Sequence, residues 1–471
     1  MTAFDDWIEK EARFAAGAMV RAVSATQVIK ERPGFGQRVA PRPGSVVASP
    51  VLAAYDPDPD YFFHWFRDSA IIIDALRVAL AEGLSDATSI ERLGEFVGFS
   101  QALRNLDGRE FLRQGPFRRK VQPSLLQYVR PDEEIAAIFG DAVLAEARIN
   151  PDGTLDFTRW ARPQNDGPAL QVLALTRWRD ARPELDERLH AAMLELLISD
   201  LDFIQTRARE RSFDIWEEES GYHYYVQLVQ AEALACGAER LAEMGDGTRA
   251  RNCRLLAAEL DASLGAYWSG RDGHYRSRIG VVGGGASSKA LDISVILGVL
   301  HAGRGTGTHS VLDPRVQATL AALEGLFDAE YPLNRQRPPD QGSAMGRYAN
   351  DAYYGGNPWY LATLAAAEFY FKLAIGLRSR GEMAATDDNA RFRRRLSAAG
   401  GAGDSPAAAA IERGDMFMRT VQSYTPPSGD LSEQFDRATG AQTSAKRLAW
   451  SYAAFITAAA SRRQAARAIR D

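Results

Sequence analysis

Two short stretches hold glutamates in settings where a carboxyl could do chemistry. Residues 213–225 read FDIWEEESGYHYY, and residues 429–440 read GDLSEQFDRATG. In the first, Glu217, Glu218 and Glu219 follow Trp216; in the second, Glu433 sits beside Gln434. Aromatic and amide neighbours can desolvate and orient a carboxyl, which is how a protein sets its protonation state. Two carboxyls from distant segments suit hydrolysis of a glycosidic bond, where one gives a proton to the leaving oxygen and the other acts on water or on the sugar carbon. Three further stretches share the same mixture of Trp, Tyr, Arg, Asp, Asn and Gln: DYFFHWFRDS (60–69), WARPQNDGPA (160–169) and GRYANDAYYGGNPWYL (346–361). Five of the eight tryptophans, Trp65, Trp160, Trp216, Trp359 and Trp450, fall in or beside these patches, whereas a purely core role would spread them more evenly. Rings of this kind stack on the C–H faces of a pyranose. The polar groups pair its hydroxyls, and they reject ligands that leave them unpaired. Each patch alone has a plain structural reading. Arg67–Asp68 could be a helix-start pair, Pro358 suits a first helical turn, and Glu433 could sit at a solvated turn. Their concurrence points to a carbohydrate site.

The elements that position these patches are helical. Apolar periodicity predicts twelve helices, over 4–23, 67–82, 89–106, 167–180, 187–207, 222–244, 248–268, 288–301, 313–328, 358–378, 406–423 and 442–464. Strand alternation is nearly absent. Even-numbered helices are apolar almost all round, as in SAIIIDALRVAL and NPWYLATLAAAEFYF. Odd-numbered ones carry a charged stripe, as in DDWIEKEARFAAGAMVRAV. Buried and water-facing helices therefore alternate. Connections from odd to even helices are long (24–66, 107–166, 208–221, 269–287, 329–357, 424–441), and those from even to odd are mostly short. Six such hairpins predict an all-α (α/α)6 barrel in a single domain, 1–471, whose long loops carry function. Residues 379–405, with TDDNARFRRRLSAAGGAGDSP, read as an exposed, mobile tract.

Composition excludes several alternatives. Fifty-six basic against 61 acidic residues give a net charge of −5, with no basic block to mark nucleic-acid binding. Cys236 and Cys253 read as two buried thiols on neighbouring helices. The six histidines form no metal-ligand pattern, and no cofactor is expected. No apolar run reaches the roughly 18–20 residues of a membrane helix, so no membrane partner is expected. The opening MTAFDDWIEKEARF is acidic and amphipathic, unlike a leader peptide. Helix starting near residue 4 with no slack before it favours a periplasmic or secreted protein whose leader has been removed, with a cytoplasmic protein as the alternative.

The patches, taken in order, resemble the glucoamylases, glycoside hydrolase family 15. The carrying stretches are YFFHWFRDS, WARPQNDGPAL, FDIWEEESGYHYY, GRYANDAYYGGNPWYLATLAAAE and LSEQFDRATGAQTSAKRLAWSYAA, and the resemblance runs from residue 4 to about 460. It implies an (α/α)6 barrel and release of glucose from the non-reducing ends of α-glucans with inversion to β-glucose. It implies Glu217 as general acid and Glu433 as general base, with Glu218 a sugar-binding neighbour. Arg67, Asp68 and Arg347 would grip the terminal glucose, and Tyr61, Trp65, Trp160, Arg162, Asp214, Trp216 and Trp450 would complete the pocket. The substrate would be an α-glucan or maltooligosaccharide bound by a monomer. No starch-binding module is expected, so soluble maltooligosaccharides are expected over raw starch.

The chain departs from the family pattern at Tyr348-Ala349-Asn350-Asp351, at His64 and Phe66, at the third acid Glu219, and at Leu291–Asp292 beside the Gly-rich turn GVVGGGASS. These bear on linkage preference, so an α-1,6-preferring (isomaltose or dextran-type) or trehalase-like enzyme is the alternative. A non-catalytic glycan binder should lack one of the two carboxyls, and both are present. A terpene-cyclase-like α/α barrel would need a DxDD-type donor or a metal-binding Asp cluster, and neither is found.

Overall fold

The computed structural model describes residues 2–55, 57–283, 287–380, 382–401 and 405–470. All twelve expected long helices are present: Ala3–Ala22, Phe66–Ala81, Thr88–Leu103, Gly167–Ala181, Glu187–Arg207, Tyr224–Glu243, Gly247–Leu264, Ser294–Ala302, Pro314–Glu330, Tyr360–Arg380, Pro406–Tyr424 and Ala449–Arg470. Strands are two to four residues long. The chain forms two compact units. One comprises Met1–Ala16, Gly221–Ala231 and Ala258–Asp471; the other comprises Gly17–Ser220 and Glu232–Ala257.

In the unit containing Gly17–Ser220, Gly167–Ala181 packs between Phe66–Ala81 and Glu187–Arg207. Eleven of its fifteen residues are buried, against seven of twenty-one in Glu187–Arg207, which matches the expected alternation. Local signals fix the ends. Asp186 caps Glu187–Arg207 by accepting from the Arg188 and Leu189 amides, satisfying donors that the first turn leaves open. In the other unit, Tyr360–Arg380 packs against Pro406–Tyr424 and Ala449–Arg470. Its stretch Tyr360–Ser379 is long and apolar enough to cross a membrane, at a mean hydropathy of 1.3, contrary to the reading that no run is. Of its most apolar window, 83% is buried inside the protein, as in a core helix.

Further expectations need correction. The helices expected from 288 and 442 begin later, at Ser294 and Ala449. Asp292 accepts the Ser294 amide at 2.7 Å, and its other oxygen pairs with buried Arg278 at 2.5 Å, which stops the helix at that point. Gln442–Thr443 pairs antiparallel with Gln434–Phe435, and Ser444 and Arg447 take positive φ, so no right-handed helix can run through them. The tract 379–405 is not exposed throughout. Ala390–Ala399 is a helix with Phe392 and Leu396 buried, packed on Pro314–Glu330 and Pro406–Tyr424. Its run of arginines hides an i, i+4 apolar pair, which is enough for a narrow stripe. Residues 381 and 402–404 of that tract, and 284–286 of the Gly-rich turn, lie outside the described residues. Both cysteines are free thiols, with Cys253 buried but Cys236 only half-buried.

Candidate active site

The Glu217 group belongs to the unit containing Gly17–Ser220. Strand β1, His64–Trp65, pairs antiparallel with β2, Arg148–Ile149, placing Trp65 opposite Arg148. The chain then turns into Phe66–Ala81, which sets Arg67 and Asp68 in its first turn, both buried. The close approach that brings Gly167–Ala181 alongside needs a glycine. A Cβ on Gly167 would lie 2.6 Å from Phe66 Cβ and 3.3 Å from the Arg67 amide nitrogen. The glycine of the WARPQNDGPA stretch is thus a packing requirement of the Arg67 turn.

The WEEE turn is shaped by Asp214. Its Oδ1 accepts the Trp216 amide at 2.8 Å and the Glu218 amide at 3.2 Å, and its Oδ2 accepts the Glu219 amide at 3.1 Å. Asp214, expected as a sugar contact, is 3% exposed and organises the backbone of its own loop. The turn puts Glu217 at φ 64°, an unusual conformation for a non-glycine residue, of the kind found where a side chain is aimed for a purpose.

Three donors converge on the aimed carboxyl. Trp65 Nε1 donates to Glu217 Oε1 at 2.8 Å, Arg67 Nη2 donates to the same oxygen at 3.3 Å, and Trp160 Nε1 donates to Oε2. Arg67 also lies 3.1 Å from Asp68 Oδ2 and 3.8 Å from Asp166 Oδ2. One guanidinium therefore serves three carboxyls. Burial raises Asp68 above the usual carboxylate range and lifts Asp166 to about 6, with Arg67 opposing in both. Trp160 is 37% exposed, and Tyr61 stands with its ring 5.1 Å from that of Trp65. Trp216 is buried. Arg162 pairs with Glu146 and with Asp156 (3.4 Å), and donates to the Trp160 carbonyl at 3.1 Å, so it holds the Trp160 loop. His64 accepts the Val46 amide at 2.9 Å through Nδ1 and is pushed down to about 3 by burial, a neutral structural imidazole.

The Glu433 group belongs to the other unit. Strand β3, Gln434–Phe435, and strand β4, Gln442–Thr443, form a short hairpin. Glu433 precedes it and is 2% exposed. Its amide donates to the Ala445 carbonyl at 2.7 Å and its carbonyl accepts from the Tyr360 amide at 3.2 Å. Its Oε2 accepts from the Ser444 hydroxyl and from Gln434 Nε2 at 3.4 Å. Arg347 makes a bidentate pair with Asp351, at 2.7 and 2.6 Å. Its guanidinium carbon lies 5.0–5.1 Å from the ring centroids of Tyr348, Tyr353 and Trp359. Trp450 opens the last helix, its ring 6.1 Å from that of His301.

The structure thus gathers Trp65, Arg67, Asp68, Trp160 and Glu217 by direct contact, with Asp214 and Arg162 building the loops behind them. Three residues were missed. Asp166 stands inside a quoted stretch, but its acid had no pattern to distinguish it. Ser444 lies eleven residues from Glu433 and is recruited by the hairpin. Arg148 sits in EARIN, where nothing aromatic marks it.

A carboxyl met by two indole N–H groups on a helical scaffold suits a glycoside hydrolase, and comparison with known proteins gives that class. The profile of glycosyl hydrolases family 15 matches residues 143–460. A glucoamylase of Blastobotrys adeninivorans is 28% identical over 461 residues, covering 90% of this chain and 68% of the relative. Glucoamylase 1 of Rhizopus oryzae is 26% identical, covering 96% and 70%. The solved structure of Hormoconis resinae glucoamylase superposes with a TM-score of 0.79 at 27% identity, covering 97% of this chain and 73% of that one. The chain belongs to glycosyl hydrolases family 15, is a glycoside hydrolase, and has the all-α (α/α)6 fold of that family.

Proposed function

We propose that the protein is an exo-acting, inverting α-glucosidase that releases β-D-glucose from the non-reducing ends of α-1,4-glucans and maltooligosaccharides. The observation that carries the reading is the Glu217 carboxyl, aimed by a positive-φ turn and met by two indole N–H groups and a guanidinium. Glu217 acts as general acid on the glycosidic oxygen, and Glu433 as the base that activates water. Each oxygen of a carboxyl has two lone-pair sites, so Glu217 can carry a proton while both oxygens still accept from these donors. Arg67, Asp68 and Arg347 bind the terminal glucose. Trp65, Trp160, Tyr61 and Trp450 supply faces for its C–H groups, and Glu218 is a hydroxyl ligand. Inversion requires the two carboxyls to stand roughly 6.5–9.5 Å apart, with water between. The relatives named above are glucoamylases, which supports the substrate class. The protein is proposed to work as a monomer with no nucleic-acid or membrane partner.

The test is glucose release from maltose, maltotriose, isomaltose and trehalose, with proton NMR of fresh product. Fastest release from the α-1,4 substrates with β-glucose appearing first is expected. Initial α-glucose would overturn inversion, and faster release from isomaltose or trehalose would overturn the linkage.

A further inference from the structure

We propose that Arg148 is a positioning residue of the Glu217 site: its buried guanidinium, clamped by Asp156, fixes the Trp160 and Trp65 indoles so that both ring N–H groups meet the Glu217 carboxyl. The inference rests on the proposed role of Glu217 and adds a residue that acts through the two rings.

Backbone and side chain act together. Arg148 is the cross-strand partner of Trp65, a relation that puts side chains in contact range. It is 1% exposed. Its Nε donates to Asp156 Oδ2 at 2.9 Å. Its guanidinium carbon lies 3.6 Å from the Trp160 ring centroid, 4.0 Å from that of Phe63 and 5.0 Å from that of Trp65. The flat cation thus lies against the indole whose N–H reaches Glu217 Oε2.

The clamp is itself fixed. Asp156 accepts the Thr158 amide at 2.9 Å and hydroxyl at 2.6 Å, and faces Arg162 at 3.4 Å. Burial pushes its carboxyl up, but Arg148 and Arg162 outweigh that and hold it at about 2, so the ion pair persists above that pH. A desolvated cation over an indole is a strong contact, and a guanidinium matches the ring plane where an ammonium cannot. Trp160 stays 37% exposed, so the residue remains accessible even with Arg148 against its ring.

The test uses R148M, R148K, W160F and the R148M/W160F double variant in the full chain. Kinetics on maltotriose and near-ultraviolet circular dichroism are the readouts. R148M is expected to lower kcat roughly 10- to 100-fold, the value of one well-placed hydrogen bond to a carboxylate, with KM little changed. R148K should fall between R148M and the parent. The double variant should be no slower than the slower single, because both changes break one unit. The dichroism lost in W160F should also be lost in R148M. Multiplying losses, or an R148M that melts earlier yet keeps its kcat, would overturn the inference. If the parent protein hydrolyses no α-glucan, the functional reading fails. Dichroism then decides on Arg148 alone: an R148M that keeps the Trp160 signal overturns it. If R148M does not fold, R148K is judged by the same two readouts.

Discussion

The two carboxyl groups are built on opposite plans. Glu217 is held by Trp65, Arg67 and Trp160, partners 152, 150 and 57 residues away in the chain. Glu433 is held by Ser444, eleven residues on, and by its neighbour Gln434. The first set consists of groups that only donate, and one of them is a cation. The second includes a hydroxyl, which can donate or accept. The support of the Glu217 carboxyl therefore comes from three separate segments, whereas the Ser444 and Gln434 donors to the Glu433 carboxyl come from its own hairpin, although the Tyr360 amide also holds the Glu433 carbonyl. Damage far from Glu217 in sequence should reach it, whereas Glu433 should respond chiefly to changes in its own loop.

The largest effects should come from the carboxyls. E217Q and E433Q are each expected to lose about 10²- to 10⁴-fold in kcat on maltotriose, the range for a positioned acid or base. Affinity for the substrate should be roughly preserved. A variant at either position with parental turnover removes that residue from the mechanism and ends the comparison.

Breaking one long-range support should come next. W160F keeps a ring but deletes the N–H that reaches Glu217 Oε2. The expected loss in kcat is about 10- to 100-fold, since a hydrogen bond to a charged group contributes roughly 1.5–3 kcal/mol. G167A should act on the same site without touching it. Its Cβ would collide with Phe66 Cβ, so the Arg67 turn must shift, with a destabilisation of about 1–3 kcal/mol readable as a lowered Tm. S444A, in the hairpin, should cost less, about 3- to 10-fold in kcat, because Gln434 still donates to the same carboxyl. If S444A proves more damaging than W160F, the contrast between distributed and local support is wrong.

The same contrast explains what could be seen in the sequence. Helix number and alternation were legible because buried helices such as Gly167–Ala181 are apolar all round and their neighbours are not. Glu217 and Glu433 stood out as candidates because their own flanks are distinctive. Arg148 did not, since its meaning comes from a strand pairing with Trp65 and a ring contact with Trp160, neither of which leaves a local mark. Asp214 was singled out as a pocket residue, and its part in shaping the turn was not foreseen. Its place before WEEE fits a ligand as well as a turn-builder, and its three amide contacts show the second role, which no local pattern marked. The helix starts at 294 and 449 were misplaced because Asp292 and Ser444 lie in apolar-periodic stretches that tertiary pairing keeps out of helix.

The smallest effect on catalysis, and the clearest on stability, should come from Glu11. It lies in the same unit as Glu433, 4% exposed, and a Cβ on Gly429 would sit 3.1 Å from its Oε2. Burial first, and the nearby Asp430 charge second, raise its carboxyl from the ordinary 4.5 to about 8, with Lys10 opposing weakly. The sign follows from linkage. The folded chain keeps a proton that the unfolded chain releases, so Glu11 is neutral to stability below its unfolded value. Its penalty grows as pH rises through the window between the two values and is complete above about 8. E11Q removes that term. The variant should melt with the parent near pH 4 and progressively above it toward pH 8, by on the order of a few kcal/mol at the upper end. Its kcat at pH 6 should match the parent, because the side chains that donate to the two carboxyls are Trp65, Arg67, Trp160, Ser444 and Gln434. A Tm difference that stays flat with pH would show that Glu11 is already ionised in the folded protein. A kcat that falls at pH 6 would show that the Glu433 loop depends on Glu11 after all, and that its support is less local than the hairpin implies.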